Sequence, residues 1–358
     1  MDDIHARLRA LAGRSNRLRF DAFQRIALYD PDFGYFSRSA RRAGRDGDFL
    51  TSPEVAPLFA EVLARVVSAD AAALSADEFH LIEVGAGRGN LARDLWEALR
   101  FDPLGRRIRF HLVETSAAAR AEHVATLAGL PHDRWTSYAD VAGLPTFPAG
   151  AIIANELFDN LPVRRVMMAE SLKEIVVHVR KDGLREELVA APVELTAYLE
   201  AQGVRLSVGQ TAEVCLEAPQ LLATLLGRLG RGSVLIIDYG DEAKHLYAVE
   251  RFPHGTLAAH RGHTTHTDFY RAPGDQDLTS HVNFTPLIET LEAAGYRRLF
   301  LGSQMRFLLD HGLTDVLDRR LKRAKDDFER LRWNQWAKQL YHPEAMGEAF
   351  RVLHARTP

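Results

Sequence analysis

The sequence predicts an α/β fold built on a doubly wound, mostly parallel sheet, and three observations carry that expectation. Short apolar runs recur from about residue 79: FHLIEVG at 79–85, RIRFHLVE at 107–114, GAIIANEL at 150–157 and SVLIIDYG at 233–240. Helical periods stand between them (LARDLWEALR, AAARAEHVATLA and PQLLATLLGRLG), each near the length that a crossover between parallel strands needs. A glycine-rich turn, Gly85-Ala86-Gly87-Arg88-Gly89, joins the first run to the first helix. Strands alternating with helices in this way read as repeated βα units.

In chain order, residues 1–78 form an N-terminal helical and loop segment, expected to cover the ligand site. FDAFQRIALYD is amphipathic, and residues 31–54 are irregular, yet Phe33, Tyr35, Phe36 and Phe49 within them argue that the segment folds onto something. A helical stretch, EVAPLFAEVLARVVSADAAAL, follows. Residues 79–162 make the first part of the core. Residues 163–231 read as an insertion, because the stretch from Arg164 to about Ala191 alternates apolar and polar residues around Asp182-Gly183, a hairpin signal. Residues 232–358 complete the core: a His-rich loop (252–284), the helix FTPLIETLEAAG, the strand YRRLFLG, one helical stretch over 313–340 and a last strand, AFRVLHART. The charge run RRLKRAKDD is a solvated helix face.

Composition excludes several classes of function. A hydrophobic fraction of 46% and a charged fraction of 26% are those of an ordinary soluble globular protein. With a net charge of −3 and Lys and Arg spread along the chain, no basic field exists to attract nucleic acid. The single cysteine, Cys215, rules out an internal disulfide and a Cys-rich zinc module, and fits a reducing compartment. No apolar stretch is long enough for a secretory leader or a membrane span, so a cytoplasmic location without membrane contact is expected. His260, His263, His266 and His281 lack matching Cys or carboxylate spacing, so no metal is expected. A G-x-S-x-G elbow is missing, which argues against hydrolysis.

Glycines between a strand and a helix let the backbone approach a ligand closely, while free N–H groups at the helix start can meet an anionic group. The spacing departs from the dinucleotide fingerprint: the third glycine, Gly89, comes one place early, and Asn90 holds the sixth position. The next acid ending a strand, Glu114, lies 29 positions after Gly85 (114 − 85), against about 20 for a dinucleotide's ribose ligand. A P-loop would need Gly-Lys-Ser/Thr, which this loop lacks. A shorter loop with a later acid suits a smaller nucleoside ligand. Glu83, just inside the loop, and Glu114 are carboxylates able to accept from ammonium and hydroxyl donors; the competing reading is a tight turn with two strand-end acids.

Two further clusters lie in functional positions. Asn155, Glu156 and Asp159 follow the carboxyl end of the strand GAII, where open α/β sheets bind ligands. Three apart, Glu156 and Asp159 are expected to share the face of a first helical turn and offer two carboxylates to one cation, a geometry that an arginine guanidinium matches. Plain helix-start acids complementing the dipole are the alternative. Thr51-Ser52-Pro53-Glu54 reads as a helix N-cap, a role compatible with covering a ligand.

Taken together, ALYDPDFGYFSR, GDFLTSPEVAPLFAE, IEVGAGRGNLARDL, VETS, IIANELFDNLPVRRV, LIIDYG, DLTSHVNFT and MGEAFRVL resemble the MidA-like family of S-adenosylmethionine-dependent methyltransferases, which includes mitochondrial members that assist assembly of respiratory complex I. The resemblance spans nearly the whole chain. It implies a Rossmann-like class I methyltransferase sheet of seven strands with an inserted, substrate-facing region, S-adenosylmethionine as cofactor, and methylation of arginine in a protein to give symmetric dimethylarginine. A respiratory complex subunit is the implied acceptor. By matching motif, Glu83, Gly85, Gly87 and Gly89 would line the cofactor, Glu114 would hold its ribose, and Thr51, Ser52 and Pro53 would close over it; with arginine as the acceptor, the cluster of Asn155, Glu156 and Asp159 is expected to be catalytic, a carboxylate from Glu156 or Asp159 orienting the guanidinium. Asn283 stands where the family usually has Asp, and Ala86 and Asn90 where it often has Pro and Thr. The alternatives kept open are a small-molecule O- or N-methyltransferase and a non-catalytic assembly factor.

Overall fold

Phe79–Val84 is buried at all six positions, as befits a strand covered on both faces of a parallel sheet. The computed structural model describes residues 4–38, 57–262 and 264–358. The chain divides into two compact units, one made of residues 40–157, 222–239 and 288–358, the other of residues 1–39, 158–221 and 240–287.

The first unit holds the sheet. Its strands are β1 (Phe79–Val84), β2 (Ile108–Val113), β3 (Trp135–Tyr138), β4 (Phe147–Asn155), β5 (Leu229–Asp241), β6 (Arg297–Ser303) and β7 (Phe350–Arg356), and their spatial order is β3-β2-β1-β4-β5-β7-β6. The pairs from β3 across to β5 are parallel. The last strand, β7, is antiparallel to both neighbours. The order reverses between β1 and β4, which places a switch point beside the glycine loop. The doubly wound, mostly parallel α/β fold expected from the sequence is the fold observed.

Helices α1 (Pro57–Leu74), α2 (Asn90–Leu99) and α3 (Ala117–Thr126) belong to this unit. Leu91, Ala92, Leu95, Trp96 and Leu99 give α2 a single buried stripe. That stripe joins Leu58, Phe59 and Leu63 of α1, and Leu81, Ile153, Leu235, Phe350 and Val352 of the sheet, in one hydrophobic core. The expected single helix over 313–340 is two, Leu313–Arg323 and Asp327–Tyr341, because Ala324 turns extended and the Asp326 carboxylate caps the second by accepting the Glu329 N–H at 2.7 Å.

The other unit is antiparallel. Leu172–Arg180 pairs along its length with Gly183–Ala190, and also with Arg164–Met168 and Arg17–Arg19; Thr211–Val214 flanks Arg164–Met168. Arg180 opposes Gly183, so the central turn residues are Lys181 and Asp182, and the glycine closes the loop at φ +135°. Val166, Leu195, Leu199, Val214, Leu246 and Tyr247 form its core. The His-rich stretch folds around a small sheet of Ala258–Arg261, Thr264–His266 and Asp277–Thr279.

Candidate active site at the glycine loop

The glycine loop takes left-handed backbone at alternate positions, with φ +73° at Gly85, +53° at Gly87 and +82° at Gly89. Glycine is the residue that adopts this without penalty. The three do different jobs. A Cβ on Gly85 would lie 3.0 Å from Leu157 Cδ1, and one on Gly89 would lie 3.2 Å from Leu112 Cδ2, so both are packed from behind. A Cβ on Gly87 would meet nothing within 4 Å among the described residues. Among the described residues, the space beside the Gly87 Cα is therefore open.

Glu83 sits at the end of β1, 6% exposed, with Oε2 lacking any hydrogen-bond partner among the described residues. Burial pushes its carboxyl up to about 8, the charges of Glu114 and Asp94 push the same way, and the Ala92 N–H opposes them. A buried acid with an unsatisfied oxygen is costly to keep, and an ammonium donor would both satisfy and ionise it.

Glu114 follows β2 and points back at the loop. Its Oε2 accepts the Gly87 N–H at 2.8 Å and its Oε1 accepts the Ser116 N–H at 2.7 Å. Burial raises this carboxyl above the ordinary range, while the Ser116 and Gly87 N–H groups hold it down. Each oxygen keeps lone pairs for a further donor such as a hydroxyl.

Asn155 ends β4, and its Nδ2 donates to Glu156 Oε1 at 3.1 Å while its own buried Oδ1 has no partner among the described residues. Glu156 is left-handed at φ +50°, a conformation rare for a side chain of this size. Two bonds from β5 impose it: the Glu156 N–H donates to Ile237 O at 2.9 Å, and the Leu157 N–H donates to Asp238 Oδ2 at 3.1 Å. Backbone held this way marks a place where the surrounding fold over-determines a side chain. Here the sequence expectation needs correction. Glu156 and Asp159 do not share a first helical turn, because the chain bends at Glu156 and Asp159 lies in the short 3-10 helix Phe158–Asn160, in the other unit. Asp159 is buried there, and its carbonyl accepts the Ser280 N–H at 2.9 Å.

Thr51, Ser52 and Pro53 lie outside the described residues, as does His263. His260 is bonded to Thr279 Oγ1 at 2.9 Å and to Thr265 Oγ1 at 3.1 Å. Among the described residues, three or more potential metal ligands nowhere converge. Among the described residues, no helix is long and apolar enough to cross a membrane. Asn283 Nδ2 donates to Tyr198 Oη at 3.1 Å and to Gln202 Oε1 at 2.5 Å, bonds that the Asp expected there from the resemblance could not donate when ionised. Sequence reasoning missed His123 and Asp238, both of which shape the loops around the site. His123 stands in none of the matching motifs, and Asp238, although it lies within LIIDYG, is given no role by that run; the crossover geometry brings both in.

Residues 58–301 match a protein family described as S-adenosyl-L-methionine-dependent methyltransferase. The zebrafish (Danio rerio) protein arginine methyltransferase NDUFAF7, mitochondrial, is 29% identical over 92% of this chain and 81% of its own, and the human (Homo sapiens) protein of that name is 27% identical over 92% and 78%. A crystal structure of a Burkholderia thailandensis protein bound to S-adenosyl-homocysteine superposes with a TM-score of 0.88 at 33% identity, covering 99% of this chain and 91% of that one. A native structure of an uncharacterised protein from the same organism gives 0.84 at 31% identity, with the same coverage. The mitochondrial names of the curated relatives overturn the expected cytoplasmic location. A lone cysteine does not separate one reducing compartment from another.

Proposed function

Because this chain belongs to that family of S-adenosyl-L-methionine-dependent methyltransferases, we propose that it methylates the guanidinium of an arginine in a protein substrate. The cofactor fits the residues present: the orphan oxygen of Glu83 suits an ammonium, the Glu114 carboxylate suits a ribose diol, and the space beside Gly87 admits a ligand where a side chain would intrude. When bound, S-adenosylmethionine supplies a methyl group on a cationic sulfur. The chain's own residues supply alignment and exclusion of water, which is most of what an in-line transfer asks of a protein.

The observation that carries the choice of acceptor is Glu156. Its backbone is held left-handed at the carboxyl end of β4, and Asn155 tethers its carboxylate at 3.1 Å. A carboxylate fixed in this way would orient a guanidinium and stabilise the charge that its attacking nitrogen develops. The unpartnered Asn155 Oδ1 would accept a second guanidinium N–H. The relatives named as protein arginine methyltransferases support the reading. Symmetric dimethylation, and a respiratory complex subunit as substrate, are the finer parts of the proposal.

The test is transfer of labelled methyl from S-adenosylmethionine into proteins of a cell extract and into purified respiratory complex subunits, followed by acid hydrolysis and separation of the methylarginines. Label in symmetric dimethylarginine is expected. Label confined to small molecules, or to another amino acid, would overturn it.

A further inference from the structure

We propose that His123, backed by Ser137, is a positioning residue for the cofactor loop: it grips the carbonyl of Gly87 and so prepares the loop for its ligand. His123 Nε2 lies 2.8 Å from Gly87 O, and His123 Nδ1 lies 3.0 Å from Ser137 Oγ. A carbonyl can only accept, so Nε2 carries the proton and Nδ1 accepts from the serine hydroxyl. With both ring nitrogens engaged and the side chain 1% exposed, the imidazole has no freedom to swing.

The consequence falls on Gly87. Its N–H is held by Glu114 at 2.8 Å and its C=O by His123 at 2.8 Å, so the peptide groups on both sides of a residue at φ +53° are fixed. An unclamped glycine would sample many conformations, and a ligand would have to order it on binding. The same ring supports the loop a second time: a Cβ on Gly89 would lie 3.5 Å from His123 Cδ2, so the imidazole packs against the third glycine. Glu114 has a ligand to serve as well as the loop. The two partners of the His123 ring nitrogens are both protein groups, which leaves this side chain a purely supporting task. Ser137 comes from β3, and the neighbouring Tyr138 carbonyl accepts the Glu114 N–H at 3.0 Å, so this short strand buttresses both clamps.

The experiment is calorimetric titration of the full chain with S-adenosylhomocysteine, which needs no methyl acceptor and is therefore independent of the arginine reading. His123→Leu is expected to raise Kd about tenfold or more, and His123→Gln, whose side-chain amide reaches the same carbonyl, to return it to within about threefold of wild type. Ser137→Ala should fall between. In turnover assays, KM for the cofactor should follow Kd while kcat at saturation stays within about twofold. A leucine variant within about twofold of wild-type Kd, or a glutamine variant as weak as leucine, would overturn the proposal. Should the leucine variant fail to fold, two measurements remain decisive. Nitrogen NMR of the unliganded wild type should show the Nε2–H tautomer at His123, and Ser137→Ala should still weaken binding; the opposite tautomer or an unchanged Kd would overturn it.

Discussion

Glu114 accepts the Gly87 N–H at 2.8 Å, so the acid that ends one strand holds the tip of the glycine loop that follows its neighbour. The two residues lie 27 positions apart, and the parallel pairing of β1 with β2 brings them together. Replacing Glu114 with Ala removes both the clamp and a ligand acceptor. Affinity for S-adenosylhomocysteine should fall by about two orders of magnitude, since a hydrogen bond to a charged group contributes about 1.5–3 kcal/mol and the clamp adds to it. An affinity within a factor of about three would remove Glu114 from the site.

Glu83, with its carboxyl pushed up to about 8, is mostly protonated at pH 7 in the free protein. A cationic partner would lower that value, so ligand binding at pH 7 should release close to one proton, and affinity should rise less steeply with pH once pH passes 8. Titrations in buffers of different ionisation enthalpy measure this directly. The same heat in every buffer would refute it.

The same raised value sets a pH dependence of stability. The folded protein keeps the Glu83 proton between pH 4.5, the ordinary value, and about 8, whereas the unfolded chain releases it, so the contribution of Glu83 to stability falls as pH rises through that window. Glu83→Gln removes that contribution to the slope. The variant should gain on wild type by a few kcal/mol (on the order of 1–4) between pH 5 and 8.5 while losing cofactor binding, and urea unfolding at the two pH values would measure it. An equal difference at both would contradict the assignment.

Glycine replacements should separate packing from binding. Gly85→Ala pushes a methyl to 3.0 Å from Leu157 as well as straining a left-handed backbone, so it should destabilise more than Gly87→Ala, which pays for conformation alone, about 1 kcal/mol. Binding should rank the other way: Gly87→Ala fills the open space beside the loop and should abolish S-adenosylhomocysteine binding. Thermal melts and titrations of the two variants would test both orders.

Glu156→Gln should lower turnover by about 100-fold or more and leave cofactor affinity within about twofold. Glu156→Gly should be equally inactive yet more stable by about 0.5–1 kcal/mol, because glycine accepts φ +50° without strain. Loss of cofactor binding in Glu156→Gln would move that residue from the acceptor side to the cofactor side.

Much of this was legible in the sequence because it is local. The glycine loop is a continuous strand, turn and helix, and each core strand from FHLIEVG to SVLIIDYG announces itself as a buried apolar run. Trp135–Tyr138 does not, since its four residues, WTSY, are half-exposed or exposed at the edge of the sheet. Spacing alone also misjudged Glu156 and Asp159. Three residues apart means a shared face only on a helix, and here the Asp238 carboxylate, 81 positions along the chain from Leu157, turns the backbone instead.

The sequence by itself determined the class of fold, the position of the loop, and the acids that end its strand and the next one, because apolar periodicity and glycine placement act over a few residues at a time. Only the tertiary structure decided how those groups are held. His123 lies 36 positions from the Gly87 carbonyl it grips, and Ile237, whose carbonyl helps to hold Glu156 left-handed, comes from a strand that the alternation of sheet and helix delivers. Such bonds form between strand ends that only parallel pairing aligns, so they have no signature in the local order of residues.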